Sequence, residues 1–205
     1  MFENFPILSL LLIVPLIGSM MTFAAGKHAK AARYLALVFS GITLVIATLI
    51  IMNFSLSAPL GTEFQFDEAY DWVPMLGISY HLGVDGISML MVFLSALLVF
   101  LAILFSWDVE ERTSSYMGLM LLLDVGVLGV FTALDYFLFY IFWEVVLIPM
   151  YFLIAIWGGP SRAYASIKFF IYTHVASLFM LLGIFALYFT ESPLLGAPSF
   201  DMIEI

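Results

Sequence analysis

The chain has 205 residues, of which 64% are apolar and 10% charged, with no cysteine and a formal net charge of −9. Soluble domains carry roughly a quarter charged residues, so this composition points to a membrane protein and away from nucleic acid binding. The absence of cysteine excludes thiolate-held iron–sulfur clusters, a CxxCH haem attachment and any disulfide.

Six apolar stretches long enough to cross a bilayer as helices are predicted at about 7–25, 34–54, 86–107, 115–132, 134–157 and 163–189. The first could pass for a secretory signal, but Glu3 is its only early charge and its positive charges follow the apolar run. It reads as a retained helix. Between the second and third stretches, residues 55–80 contain Pro59, Gly61 and Pro74 among alternating apolar and acidic residues, which suits a short hairpin. Its aromatics, Phe64, Phe66, Tyr70, Trp72 and Tyr80, are expected to pack at the membrane interface or against a neighbouring subunit. The fourth and fifth stretches meet in a tight turn, where Asp135 suits a helix N-cap.

All six basic residues fall on one side of these spans: Lys27, Lys30 and Arg33 after the first, Arg112 after the third, Arg162 and Lys168 after the fifth. The other side carries Glu3, Glu63, Asp67, Glu68, Asp71, Asp85, Asp135, Glu191, Asp201 and Glu204. The positive-inside rule then predicts an N-terminus outside and the first, third and fifth connections in the cytoplasm. The fold class is all-α: a polytopic membrane helix bundle of six transmembrane helices, forming one transmembrane domain over residues 1–205.

Glu144 stands midway along the fifth apolar stretch. With the helix starting near residue 134, it lies roughly 15 Å deep in a hydrocarbon core about 30 Å thick. An ionised carboxylate at that depth costs roughly 2.5–3.5 kcal/mol on insertion scales. It must find a partner or take up a proton, so proton handling is the leading reading and a buried acid serving packing the alternative. Pro149 cannot donate to the carbonyl of Val145, which loosens the helix one residue beyond the acid and leaves a natural point for water.

Three further polar groups lie in the spans. Asp124 sits about ten residues into the fourth stretch. It either shares protons with Glu144 at comparable depth or bonds a Ser or Thr across a helix interface. His174, eleven residues into the sixth, either relays protons or is a neutral histidine bonded to Ser177 or Thr173. As the one histidine within an apolar span, it cannot hold a haem between two membrane histidines of this chain. Lys168 either snorkels to the headgroups or turns inward toward an acid. No phosphate-cradling glycine loop, metal-ligand cluster or nucleophile–base motif is visible. Any redox chemistry coupled to this chain takes place in another subunit.

The run F-L-F-Y-I-F-W-E-V-V-L-I-P-M-Y-F-L-I-A-I-W-G-G, followed by S-I-K-F-F-I-Y-T, resembles the antiporter-like subunits of respiratory complex I. The nearest type is the M subunit, called chain 4 in mitochondria, with its archaeal and photosynthetic counterparts. Residues 80–89, Y-H-L-G-V-D-G-I-S-M, are similar to that family's approach to its third helix. The FWE-x4-P core is shared in looser form with Mrp-type cation/proton antiporters and membrane-bound hydrogenases.

This resemblance implies a proton-translocating membrane-arm subunit of an oxidoreductase, in the bacterial inner or archaeal cell membrane. Quinone, flavin and iron–sulfur clusters are expected in partner subunits, and no cofactor in this chain. The residue matching Glu144 faces, in the family, a lysine on a later broken helix, and their interaction switches protonation states. Lys168 lies on the helix after the glutamate helix. Family members have about fourteen helices, including two inverted five-helix repeats. The chain is therefore expected to be the N-terminal portion of a longer subunit, with 115–189 as the first three helices of the first repeat. A subunit of an Mrp-type cation/proton antiporter or membrane-bound hydrogenase, and a structural fragment without transport activity, are the alternatives.

Overall fold

The computed structural model describes residues 5–55, 64–190 and 199–205, with backbone alone over 191–195. Glu3, Pro59, Gly61 and Glu63 lie outside the described residues, as do the Glu191 side chain and residues 196–198 of the tail. The elements are α1 (Ile7–Ala24), α2 (Ala29–Asn53), β1 (Gln65–Val73), β2 (Ile78–Val84), α3 (Ser88–Phe105), α4 (Thr113–Thr132), α5 (Tyr136–Trp157) and α6 (Arg162–Leu195). All six helices are long and apolar enough to cross a membrane, which bears out the six-span bundle.

The ends differ from expectation for identifiable reasons. Helix α2 begins at Ala29 and not near residue 34, because the basic stretch after span one continues the helix. Helix α5 begins at Tyr136 because Asp135 is its N-cap, accepting from the N–H groups of Phe137 (2.8 Å) and Leu138 (2.9 Å). That expected cap is present. Helix α3 begins at Ser88, two residues later than read. Asp85 accepts there from the backbone N–H groups of Ile87 (3.0 Å) and Ser88 (2.6 Å), and residues 80–84 belong to a strand. Burial works against the Asp85 charge, but the hydrogen bonds from Ser88 and Ile87 outweigh it and hold the carboxyl below its ordinary range.

The expected hairpin forms as an antiparallel pair, β1 with β2, turning through Pro74–Leu76 and a left-handed Gly77. The pair reaches further than residue 80, to Val84. Phe66 and Tyr80 pack against the core, whereas Phe64, Tyr70 and Trp72 are exposed.

Helix α4 is the hub of the bundle, packing against α1, α2, α3 and α5, while α6 packs on α5. Close approach of α4 to α5 depends on two glycines. A Cβ at Gly126 would lie 2.7 Å from a Val146 methyl, and one at Gly129 would enter the Phe142 ring. Small residues at such crossings are how membrane helices gain contact, since lipid tails supply no hydrophobic drive between helices.

One end of the bundle carries a knot of polar backbone. Leu134 N–H donates to the His81 carbonyl (2.8 Å), Met202 N–H to the Leu134 carbonyl (2.8 Å), Tyr136 N–H to Phe200 (2.9 Å) and Phe200 N–H to Gly77 (3.0 Å). Hairpin, α4–α5 junction and tail are thereby stitched into one cap. The six basic residues lie toward the other end, at the α1–α2, α3–α4 and α5–α6 turns and their adjoining helix starts.

Candidate functional site

Glu144 lies eight residues into α5, about 12 Å from the capped end of the helix. This is slightly shallower than the sequence suggested, because α5 starts two residues later. The side chain is 26% exposed and faces α6. There it meets two groups one helical turn apart on a single face: His174 Nδ1 lies 3.1 Å from Oε2, and Ser177 Oγ donates to Oε1. Phe170, one turn before His174, stacks on the imidazole at a centroid distance of 5.5 Å and 6° between planes. The ring is thus held by stacking on its face and by the carboxylate at its Nδ1 edge.

Chemically this is an acid–imidazole–hydroxyl set within the membrane core. His174 Nδ1–H can donate to the Glu144 carboxylate, and a proton can cross the same contact in either direction. The Ser177 hydroxyl bonds the other oxygen and also the His174 carbonyl (2.9 Å). Of the alternative, a histidine bonded to Ser177 or Thr173, only a bond from Ser177 to the His174 carbonyl is present: the imidazole meets Glu144, and Thr173 donates to the Phe169 carbonyl (2.7 Å). Pro149 is buried within a continuous α5, five residues beyond the acid.

Asp124 and Glu144 lie at comparable depth. Gly126 abuts Val146 and Gly129 abuts Phe142, which sets Asp124 opposite residues 147–148, about 5 Å along the axis from Glu144. The two acids nevertheless turn to different neighbours. Asp124 follows Met117 and Leu121 along the α4 stripe that packs with α2 and α3. Neither of its oxygens has a hydrogen-bond partner among the described residues, hydroxyls included. Lys168 is exposed near the start of α6, with Nζ 5.6 Å from the Tyr164 ring centroid one turn earlier. Among the described residues it pairs with no acid.

Outside the membrane core the structure places three carboxylates that sequence reading left unassigned. Glu68 of β1 is 6% exposed and accepts from the N–H groups of Leu8 (2.6 Å) and Ser9 (3.0 Å) and from Ser9 Oγ (2.5 Å). It thus caps α1, whose own N-cap residue, Pro6, offers no side-chain bond. His81 of β2 bridges Asp201 in the tail (Nδ1–Oδ2, 2.5 Å) and Asp67 of β1 (Nε2–Oδ1, 2.8 Å). The hydrogen bond to Asp201 raises the His81 pKa against the opposing effect of burial. Asp201 is correspondingly held low: its burial is outweighed by the bond from His81, the backbone N–H groups of Ile203 and Glu204 and the His81 charge acting together.

Comparison with known proteins finds similarity to the kind of protein its motifs resemble. Residues 133–201 match the family described as NADH:quinone oxidoreductase/Mrp antiporter, transmembrane. The F420H2 dehydrogenase subunit M of Methanosarcina mazei is 44% identical over 201 residues, covering 98% of this chain and 40% of that protein. The NADH-quinone oxidoreductase subunit M of Escherichia coli K12 is 40% identical over 205 residues, covering 95% and 40%. Respiratory complex I from Thermus thermophilus contains a chain that superposes with a TM-score of 0.79 at 28% identity, over 96% of this chain and 38% of that one. The resemblance to M-type antiporter-like subunits is shown over nearly the whole chain, which spans about two fifths of the length of these relatives. It is a membrane protein.

Proposed function

We propose that this chain is the first part of an M-type membrane-arm subunit of a complex I-like quinone oxidoreductase, and that Glu144 carries a proton within it. The single observation that carries the second half is the mid-membrane contact of Glu144 with His174 and Ser177. A carboxylate at this depth needs a partner that stabilises its charge and can exchange a proton, and an imidazole does both. Identity to subunits M that serve F420H2 and NADH dehydrogenases supports the first half. Residues 115–189 are then the first three helices of the first inverted repeat, and the basic turns face the cytoplasm.

In this reading Glu144 and His174 hold and pass a proton between Oε2 and Nδ1, while Ser177 fixes the other carboxylate oxygen. Electron transfer, with its quinone, flavin and iron–sulfur clusters, belongs to partner subunits, since a chain without cysteine cannot ligate a thiolate-held cluster.

The test is proton pumping by the assembled complex in sealed vesicles, wild type against Glu144→Gln at matched assembly and electron-transfer rate. Pumping per electron is expected to fall to a small fraction of wild type. Unchanged pumping in an assembled E144Q complex would remove the acid from the pathway. A second reading, a subunit of an Mrp-type cation/proton antiporter, is favoured by the family's shared description and requires Na⁺-dependent proton exchange without electron input.

A further inference from the structure

Asp124 is fully buried, and both its carboxyl oxygens lack a hydrogen-bond partner among the described residues. Leaving such a group unsatisfied carries the penalty of its lost hydration, which is larger if it is charged. The Glu144 site makes no use of it.

Helix register identifies what lies at its level. Ser19 Oγ donates to the Gly118 carbonyl (2.8 Å) and the Phe23 ring abuts Gly118. Six residues further along α4, Asp124 is therefore level with residues 13–17 of α1, Pro15 among them. Gly18 abuts Phe39, which brings residues 40–44 of α2 to the same height, and contact of Gly41 with Phe100 adds residues 97–101 of α3. The apolar core is divided at this height. On one side lie Leu11, Ile46, Ala96 and Leu128, and on the other Ala36, Ile103, Met117 and Leu121. Between them the buried stripe of α2 carries Ser40 and Thr43, and that of α4 carries Asp124.

This layer has acceptors to spare and no donor left over. Ser40 Oγ donates to the Leu37 carbonyl (3.2 Å) and Thr43 Oγ1 to the Phe39 carbonyl (3.0 Å), which leaves their lone pairs open. Pro15, buried within α1, has no N–H, so the Leu11 carbonyl is freed from the helix ladder. Helices α1 and α3 contain no titratable side chain. On α2 such residues are confined to Lys30, Arg33 and Tyr34 near its start, and on α4 to Tyr116 besides Asp124 itself. Glu144 of α5 is engaged by α6. A set of oxygens rich in lone pairs and poor in donors suits a proton with internal water, which needs two to four polar partners.

We propose that the layer of Pro15, Ser40, Thr43 and Asp124 is a second proton-binding site, holding Asp124 protonated beside internal water. It is distinct from the Glu144 site and does not depend on the role assigned there.

The experiment is infrared difference spectroscopy on the assembled complex in lipid, wild type minus Asp124→Asn, in sodium-free buffer. The expected result is a protonated-carboxyl C=O band that shifts in D2O and persists in Glu144→Gln. Absence of the band overturns the proposal. So does a band that D2O never moves, which marks a dry structural acid, or one that added Na⁺ abolishes, which marks a sodium site. Thr43→Val keeps the test open if D124N does not assemble. Loss of the hydroxyl is expected to move the band frequency, and an unmoved band overturns the assignment of the layer.

Discussion

His174 shows how much of the site is decided at the level of single side chains. Glu144 announces itself in the sequence because a carboxylate in an apolar run has no bland place to go. Its partner was harder to see. His174 and Ser177 stand three apart and share a face of α6, yet nothing in that spacing says the face meets Glu144 thirty residues earlier. Asp124 was legible as a membrane acid, but its separation from Glu144 follows from which face of α4 it occupies, and α4 is surrounded on most sides. Replacing His174 by Gln removes the exchangeable proton and keeps the polarity. Loss of roughly 1.4 kcal/mol from the proton step corresponds to about tenfold in rate. We expect pumping by the assembled H174Q complex to slow by about that factor, and a wild-type rate would remove the imidazole from the path.

Among the elements, what was readable was local. Asp135 lies two and three residues from the N–H groups it caps, so the sequence carries that signature directly. The cap of α1 lies 60 residues away in the hairpin, beyond any local pattern. Helices α3 and α5 start where a carboxylate binds their first amides and not where apolarity begins, which accounts for their shifted ends. Glu68→Ala should weaken the first turn of α1 by about 1–2 kcal/mol, within the range of lost caps. Hydrogen exchange at the Leu8 and Ser9 amides reads this out directly. Protection unchanged from wild type would mean that α1 is held by packing alone.

At the scale of the whole molecule, the hairpin and the tail are joined by one imidazole between two carboxylates, and backbone bonds tie the α4–α5 junction to both. The His81 pKa is raised in the folded chain, so its contribution is fully present below its unfolded value near 6.5. That contribution is lost as pH rises through the folded value. Asp201, held low, contributes above its unfolded value of 3.8 and loses this as pH falls through the folded one. Cap stability, followed by proteolysis of the tail across pH, should therefore decline at the alkaline side in wild type. It should become flat there in His81→Gln, and an alkaline decline that survives in H81Q would assign it elsewhere. The six spans were readable as apolar runs, whereas this cap was not, because its pieces are up to 120 residues apart. That separation has a consequence for biogenesis. A ribosome has delivered the hairpin long before residues 199–202 emerge, and the fastening cannot close until the sixth helix has crossed. The cap therefore closes only after all six helices, recording that each of those crossings was made in the right direction.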